Sequence, residues 1–430
     1  MNSNDSGDSS HRRLSLSDVR HNVRVNAQHG AWQSLAQSLY GPFLGVLAIK
    51  LGASNLDVAL MSALPAAVAS VASMLGSVVL RPFPRKKAVA CSLIAATRLF
   101  LLGIAAIPAV VRSDAQATAL VVLVALMNVP GAIGNISWQA LLADSIPYDL
   151  RGDAMAERSR LVTAVAFIPT ILGGYVLDAV RFPLGYQLAL VVAFVLAMVE
   201  VRTLAQMREP DPELETRVDQ SEFHPSRQAR SEESYTPSAA RGRSREFSLC
   251  AMLFYFGWMM GQPLFTIYYV RVLGVGNLWI GIFSIVSAVV QYSAFPMWSR
   301  FAARHGNTMA LAIATMGMAL TPLMIGVSPW PWLIAVFSAS MGFFTSGTTL
   351  LMLNTLLEMA PSENRTSHIA FHNGVVNFTA FVGPLMGKVV VDATNIYWAL
   401  GICSICRGIG SGALYVFARS LRQRQGRVHA

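Results

Sequence analysis

The amino-acid sequence predicts an all-α membrane protein with twelve transmembrane helices, arranged as two similar six-helix bundles. Of its 430 residues, 54% are hydrophobic and only 13% are charged, whereas soluble domains carry roughly 25% charged residues. The apolar residues fall into twelve long runs. Motifs in the first half of the chain also recur in the second half. Together these observations favour a duplicated bundle that crosses a bilayer many times.

A helix needs roughly 20 apolar residues to cross the hydrocarbon core of a membrane. Runs of about this length occur six times before a long polar segment and six times after it. In the first half, spans 1 to 6 lie at 26–49, 56–80, 87–111, 116–143, 159–179 and 183–204. In the second half, spans 7 to 12 lie at 247–271, 277–298, 307–327, 331–358, 368–391 and 395–418.

Three polar segments flank and separate the spans. Residues 1–25 form a polar tail without an apolar core, so we expect no cleavable signal peptide. Residues 205–246 are rich in Glu, Arg, Ser and Pro and lack the apolar content to fold alone, which predicts a flexible linker. Residues 419–430 form a basic tail. The two predicted bundles therefore comprise 26–204 and 247–418.

The positive charges predict the orientation of the chain in the membrane. With both chain ends on one face, that face carries 26 of the 33 Lys and Arg residues, and the other face carries 5. Cytoplasmic loops of membrane proteins are enriched in Lys and Arg. We therefore expect a multi-pass protein of the plasma membrane with both termini in the cytoplasm. The net charge of +10 is spread between apolar runs and forms no basic face. We therefore expect the bilayer as partner and no nucleic acid.

A repeat links the two halves. At an offset of 214, Asp144 pairs with Glu358, and Asp178 pairs with Asp392. At an offset of 222, GASNL at 52–56 matches GVGNL at 274–278. Each half holds an even number of spans, so both halves enter the membrane in the same sense. They are therefore predicted to be related by an axis along the membrane normal.

These features resemble the major facilitator superfamily over residues 25–418. The loop between spans 2 and 3, GSVVLRPFPRKKA, keeps the glycine and the basic cluster of a family motif but not its aspartate. The corresponding loop WSRFAARHGN lies in the second half, and span 5 carries PTILGG, a partial match to the family's GPxxGG. The resemblance implies a monomeric transporter whose spans 1, 4, 7 and 10 line a central cavity, with help from spans 2, 5, 8 and 11.

Polar side chains on those spans are the candidates for solute binding, since exposing them to lipid is costly. The first half offers a polar stripe of His29, Gln33, Gln37 and Tyr40 on span 1, and Asn128, Asn135 and Gln139 on span 4. The second half offers Gln262, Thr266, Tyr269, Gln291, Thr345, Thr349, Asn373 and Asn377. The alternative is that these side chains only join neighbouring helices or, near span ends, contact the membrane interface.

Charged residues near or within the spans suggest further roles. Asp144 with Arg151, and Glu358 with Arg365, are candidates for ionic latches at the cytoplasmic ends of the helices; contact with lipid headgroups is the alternative. Arg98 and Arg407 lie inside spans 3 and 12. An unpaired guanidinium there is costly, so each is expected to find a partner, a carbonyl cluster or a water pocket.

The predicted function is alternating-access transport of a small solute. An ion gradient is the expected driving force, with protons as one coupling ion; whether the direction is uptake or efflux stays open. Spans 1, 4, 7 and 10 hold no deep Asp or Glu, which leaves His29, His372 and the basic pair Arg158 and Arg160 as the nearest candidates for a proton role. For the two histidines, contact with lipid headgroups is the alternative. The alternatives are a gradient-independent facilitator and a receptor or scaffold that keeps the fold without transport. No enzyme, cofactor or metal site is expected, because no catalytic or ligand cluster can be assembled.

Overall fold

The computed structural model describes residues 15–79, 86–209, 237–359 and 365–428, and these form helices joined by short turns. The first half contains α1 (Leu16–Ser38), α2 (Leu44–Lys50), α3 (Asn55–Val79), α4 (Lys86–Val110), α5 (Gln116–Ser145), α6 (Tyr148–Ala179) and α7 (Leu184–Ala205). The second half contains α8 (Pro237–Ile267), α9 (Asn277–His305), α10 (Asn307–Gly326), α11 (Pro331–Met359), α12 (Arg365–Ala393) and α13 (Ile396–Val428).

Eleven of these helices are long and apolar enough to cross a membrane. The remaining segment, predicted as span 1, is divided into α1, a 3₁₀ turn at Gly41–Phe43 and α2. Pro42 lies in that turn and has no backbone N–H to continue the helix, which explains the break. From span 2 onward each helix number exceeds the span number by one. The predicted all-α architecture of twelve membrane-crossing segments is confirmed.

Several boundaries differ from those expected. The first helix begins at Leu16, within the predicted tail 1–25, because Ser15 and Asp18 form a capping box: the Ser15 hydroxyl accepts from the Asp18 N–H at 3.2 Å, and the Ser15 N–H donates to the Asp18 carboxylate at 3.0 Å. Likewise α8 begins within the predicted linker 205–246, and α13 runs through most of the predicted basic tail. Linker residues 210–236 lie outside the described part of the chain.

The outer surface suits a lipid environment. Large apolar side chains are more than half exposed on helices of both bundles, including Leu75, Ile168, Val195, Val336 and Ile405. Soluble proteins rarely leave so many such side chains in contact with water. A bilayer would cover them.

The two bundles meet along two pseudo-equivalent contacts, α3 with α12 and α6 with α9. A large apolar cluster joins the halves and includes Phe43, Leu47, Leu264 and Phe283. This cluster lies toward the face that carries the α2–α3, α6–α7 and α8–α9 turns, which we call the closed face. The opposite face, where α1 begins and α13 ends, is called the termini face.

Toward the termini face each half has a core of its own. One apolar cluster belongs to the second bundle and includes Phe247, Trp298 and Leu414. Another belongs to the first bundle and includes Trp138 and Leu204. The hydrogen bonds found between the halves in the described part of the chain lie at the closed face. Polar contacts thus join the bundles at that end.

Candidate functional site

A cavity of about 520 Å³ lies in the first bundle between α1, α3, α4, α5 and α6. The helical spacing of the polar stripe on α1 brings its side chains onto one face of the helix, and that face borders the cavity. The structure gathers all seven first-half candidates in its lining: His29, Gln33, Gln37, Tyr40, Asn128, Asn135 and Gln139.

An ion pair between α4 and α7 forms the deepest part of this region. Glu200 is fully buried, and its carboxylate accepts from Arg98 Nε at 3.1 Å and from an Arg98 terminal nitrogen at 3.0 Å. Such a two-pronged geometry suits a guanidinium and a carboxylate. The expectation that Arg98 has a partner is confirmed.

His29 and Arg158 extend the network toward α6. The guanidinium of Arg158 donates to His29 Nδ1 at 2.9 Å, to the Asn26 carbonyl at 2.9 Å and to Gln33 Oε1 at 2.7 Å. His29 Nδ1 therefore accepts, which places the proton of a neutral ring on Nε2. That atom lies 3.4 Å from the Glu200 carboxylate but is not aligned for a hydrogen bond.

Trp138 of α5 covers one face of this network. The Arg158 guanidinium lies over its indole ring, 4.6 Å from the ring centroid, and His29 stacks on it at 6.1 Å. Trp138 is 9% exposed. Its indole N–H and the Asn26 side-chain amide are buried without an acceptor on the described part of the protein. The region therefore holds more hydrogen-bond donors than it satisfies.

The amides along α5 complete the lining. Asn128 donates to the Val124 carbonyl at 2.7 Å, which leaves its side-chain oxygen toward other partners. Asn135 and Gln139 follow on the same helix, and both are exposed, as is Gln37 on α1. The cavity can therefore offer several amide donors and acceptors to a bound solute.

The second-half candidates do not line this cavity. Thr266 packs against α2 at Gly45, and Tyr269 stacks on Phe265 and contacts Phe283. Gln291 is half-buried, and Thr345 is half-buried with a hydroxyl that has no partner on the described residues. The remaining four are exposed side chains: Gln262, Thr349, Asn373 and Asn377. In this conformation no described residue of the second bundle lines the cavity.

Arg407 is fully buried where α13 meets α8 and α10. It donates to the carbonyls of Gly257, Trp258 and Met318 at 3.2 to 3.3 Å and to the Thr321 hydroxyl at 3.1 Å. The expected carbonyl cluster is confirmed. Because these acceptors lie on α8 and α10, Arg407 joins three helices of the second bundle.

Two reciprocal clasps join the halves at the closed face. Asp178 at the end of α6 accepts from the backbone N–H groups of Asn277 and Leu278, both at 2.9 Å. The Asn277 side chain donates to the same carboxylate at 2.8 Å and accepts from the Tyr186 hydroxyl at 2.7 Å. The negative charge thus sits at the N-terminus of α9, where the helix dipole favours it.

The second clasp uses the matching residues of the repeat. Asn55 at the start of α3 donates to Asp392 at the end of α12 at 2.6 Å, and Arg271 donates to Asn55 and to the Ala53 carbonyl. Gly52 and Gly274 precede the two asparagines with φ of 86° and 61°, a conformation that glycine adopts without strain. The sequence motifs GASNL and GVGNL are therefore the turns of the two clasps.

The predicted latches are not present as expected. Asp144 forms its ion pair with Lys86 at the start of α4 and not with Arg151. Arg151 instead donates to the carbonyls of Ala143 and Ile146, because a cation at the C-terminus of α5 is favoured there. Glu358 accepts from Asn307 at 3.0 Å, and the Arg365 side chain lies outside the described residues. The described contacts of Asp144 and Glu358 stay within one half.

The sequence pattern alone did not single out Glu200, and it indicated Arg158 only as a candidate for proton coupling. A signal for Glu200 was present, since it is a single acid inside the apolar run 183–204. Both residues matter to the site because they set its charge. Among the described residues, no group of three or more His, Cys, Asp or Glu side chains could hold a metal ion.

Comparison with known proteins identifies the family. Multidrug resistance protein MdtG of Dickeya zeae (strain Ech586) is 27% identical over 122 residues, 28% of this chain and 29% of that protein, so the match spans less than a third of the relative. The crystal structure of nucleoside transporter NupG superposes with a TM-score of 0.63 at 14% identity, covering 91% of this chain and 98% of that one. A D-xylose-proton symporter gives 0.66 at 12% identity, covering 94% and 98%. The family model described as Major Facilitator Superfamily matches residues 32–241 and 247–427, and the chain therefore belongs to that superfamily.

Proposed function

We propose that this protein is a secondary transporter that moves a small solute across the cytoplasmic membrane by alternating access. The observation that carries the proposal is the polar cavity of the first bundle, where charged and amide side chains from α1, α4, α5 and α6 converge. Such a cavity is costly inside an apolar bundle unless it holds water or a polar ligand. Similarity to named transporters adds support from the fold.

The orientation follows from the distribution of charge. The termini face carries 26 of the 33 Lys and Arg residues, so it is proposed to lie in the cytoplasm. The closed face, with its two clasps, then faces the opposite side of the membrane. The conformation described here would be the inward-facing state of the cycle.

The transport cycle requires the closed face to open. For that to happen, Asp178 must leave the N-terminus of α9, and Asn55 must leave Asp392. The termini face would then close, bringing the separate cores of the two halves into contact. The two clasps are equivalent in the repeat, which supports a rocking motion of two similar rigid bundles.

We also propose that an ion gradient drives transport of the solute, and protons are the first coupling ion to test. Glu200 and His29 are titratable groups beside the cavity, and the ion pair of Glu200 with Arg98 would respond to protonation of the carboxylate. A facilitator without coupling is the alternative mechanism.

Solute flux in proteoliposomes tests the proposal. Uptake and efflux of a broad panel of radiolabelled sugars, nucleosides, amino acids, organic anions and organic cations would be measured, with and without a pH gradient. We expect saturable movement of at least one class. If none moves while the protein stays folded, the receptor or scaffold interpretation replaces transport. If one moves equally with and without every gradient, the facilitator interpretation holds.

A further inference from the structure

Resting on the proposed transport function, we propose that the solute carries a negatively charged group, a carboxylate or a phosphate, which binds beside Arg158 and Trp138. The juxtaposition behind this assignment is an arginine without a counter-ion in the described structure next to buried donors without acceptors. This juxtaposition indicates that the cavity selects anionic solutes.

The charges around the cavity do not balance. Its lining contains two arginines, Arg98 and Arg158, and no Asp or Glu. Glu200 lies behind the lining and takes Arg98 as its two-pronged partner. Among the described residues, Arg158 has no ion pair within 4 Å, and its partners are neutral. One positive charge therefore remains at the cavity wall.

The hydrogen-bond donors point to the same ligand. Trp138 and Arg158 line the cavity. The indole N–H of Trp138 has no acceptor on the described protein, and Nε of Arg158 makes no hydrogen bond there either. The unmatched amide of Asn26 lies behind the lining. An ionised carboxylate or phosphate only accepts hydrogen bonds, so it matches such an excess of donors. The amides of Gln33 and Gln37 can rotate to donate as well.

Arg407 in the second bundle shows what a purely structural arginine looks like in this protein. Its guanidinium is fully buried and surrounded by carbonyls and a hydroxyl from neighbouring helices, and it does not line the cavity. Arg158 differs because it borders the cavity while donors beside it remain unmatched. This contrast favours a ligand at Arg158.

Other ligand classes fit less well. A cationic solute would meet a net positive charge in a poorly screened site, and two like charges at close range repel strongly there. A neutral solute could bond the amides but would leave the charge of Arg158 without a counter-ion, which is costly in a membrane interior. An anion satisfies both the charge and the donors.

Matched pairs of solutes test the assignment. Benzoate against benzamide, lactate against lactamide, and ribose 5-phosphate against ribose share a skeleton and differ in charge. Binding to the full-length protein in lipid nanodiscs would be measured by thermal stabilisation over a concentration series. We expect the charged member of at least one pair to bind at least tenfold more tightly than its neutral partner.

Three variants connect the preference to the site. Trp138→Phe removes the indole N–H but keeps a ring under Arg158, and it should weaken anion binding severalfold. Arg158→Gln should remove the preference for the charged member, whereas Arg158→Lys should retain part of it. Arg160→Gln, at an exposed arginine on the same helix, should leave the preference unchanged.

The outcomes separate this assignment from transport itself. If neutral or cationic solutes bind and move while no charged member is preferred, the anion assignment is overturned and transport stands. The same holds if an anion binds and both Arg158→Gln and Trp138→Phe leave its affinity intact. If Arg158→Gln does not fold, the Arg158→Lys and Trp138→Phe variants decide. If no pair binds, the assignment fails, and the flux panel decides on transport separately.

Discussion

The carboxylate of Asp178 caps the N-terminus of the helix that begins at Asn277, and this contact joins the two halves of the molecule. Its oxygens accept two backbone N–H groups and the Asn277 side chain at 2.8 to 2.9 Å. The repeat-related pair, Asp392 and Asn55, makes the matching contact on the other side of the interface. The acids and asparagines that recur in both halves thus meet each other across the interface.

Asp178→Ala should shift the protein toward the state in which the closed face is open. Loss of an acidic helix cap costs about 1 to 2 kcal/mol, which changes a two-state ratio about 5- to 30-fold. Spin labels on Ser54→Cys and Thr394→Cys, two exposed positions beside the second clasp, would report it in a background without the four native cysteines. We expect a larger fraction of long distances in the variant.

A control for that experiment lies on the same face. Asp114 pairs with Arg112 in the exposed turn between α4 and α5, within one half. Asp114→Ala removes an acid without touching the interface, so the distance distribution should stay that of the parent protein. If both variants shifted the distances equally, the loss of any acidic side chain on this face, and not the loss of the clasp, would control the conformational equilibrium.

The sequence predicts the helices of this fold better than it predicts which helices contact each other. Hydropathy identifies spans because each helix must be apolar along its own length, and the repeat motifs identify the duplication. Neither says which helices are neighbours. The pair Arg98 and Glu200 depends on α4 packing beside α7, and the clasps depend on α6 meeting α9. These contacts between neighbouring helices leave no periodic pattern in the sequence.

The candidate site could also be predicted only in part: the sequence indicates which residues share a helix face, but not which side chains on different segments pair. The polar stripe on α1 and the amides on α5 follow from helical spacing and the cost of exposing polar groups to lipid, and the structure brings them together. In this conformation Asp144 does not pair with Arg151, because Arg151 lies close enough in sequence to fold back onto the carbonyls that end α5. Competition between a carboxylate and helix-end carbonyls cannot be decided without coordinates.

Removing one member of the buried pair between Arg98 and Glu200 should destabilise the first bundle. Leaving one buried charge without its partner costs about 3 to 5 kcal/mol, whereas replacing both by apolar residues restores much of the loss. We expect Arg98→Met and Glu200→Leu each to lower the thermal unfolding midpoint strongly, and the double variant to unfold closer to the parent protein. Unfolding in nanodiscs, followed by tryptophan fluorescence, measures this.

The exposed pair of Arg112 and Asp114 provides the comparison for this double-mutant cycle. Both side chains are more than half exposed, and such pairs contribute about 0 to 1 kcal/mol. Arg112→Met should therefore change the midpoint little. Additive losses in the buried pair, with no recovery in the double variant, would contradict the coupling inferred from the two-pronged geometry.

Gln33→Leu and Gln37→Leu should abolish thermal stabilisation by a transported solute while membrane insertion stays intact. These two amides line the cavity, whereas Gln262 and Gln291 of the second bundle do not. Gln262→Leu and Gln291→Leu should accordingly weaken solute binding to this conformation much less. Binding curves of all four variants make the comparison, and equal losses in both bundles would show that the second half contributes to the site equally.

Two adjacent glycines of the PTILGG motif should respond differently to the addition of a methyl group. A side chain on Gly174 would meet the Asn277 carbonyl oxygen at 2.8 Å and the Leu278 Cα at 3.0 Å, both backbone atoms of the opposite half. A side chain on Gly173 would meet Leu39 and Phe43 side chains at 3.5 and 3.6 Å, ordinary contact distances. Gly174→Ala should therefore push α6 from α9.

The spin-label pair on Ser54→Cys and Thr394→Cys reports this effect at the second clasp, because rocking of rigid bundles would open both clasps together. Backbone atoms cannot move aside as a flexible side chain can. Gly174→Ala should therefore increase the population of molecules in which the closed face has opened, and it should change solute flux as a result. Gly173→Ala should give the distance distribution of the parent protein. If Gly174→Ala also leaves that distribution unchanged, the close approach of α6 to α9 does not hold the closed face together, and the two clasps must do so alone.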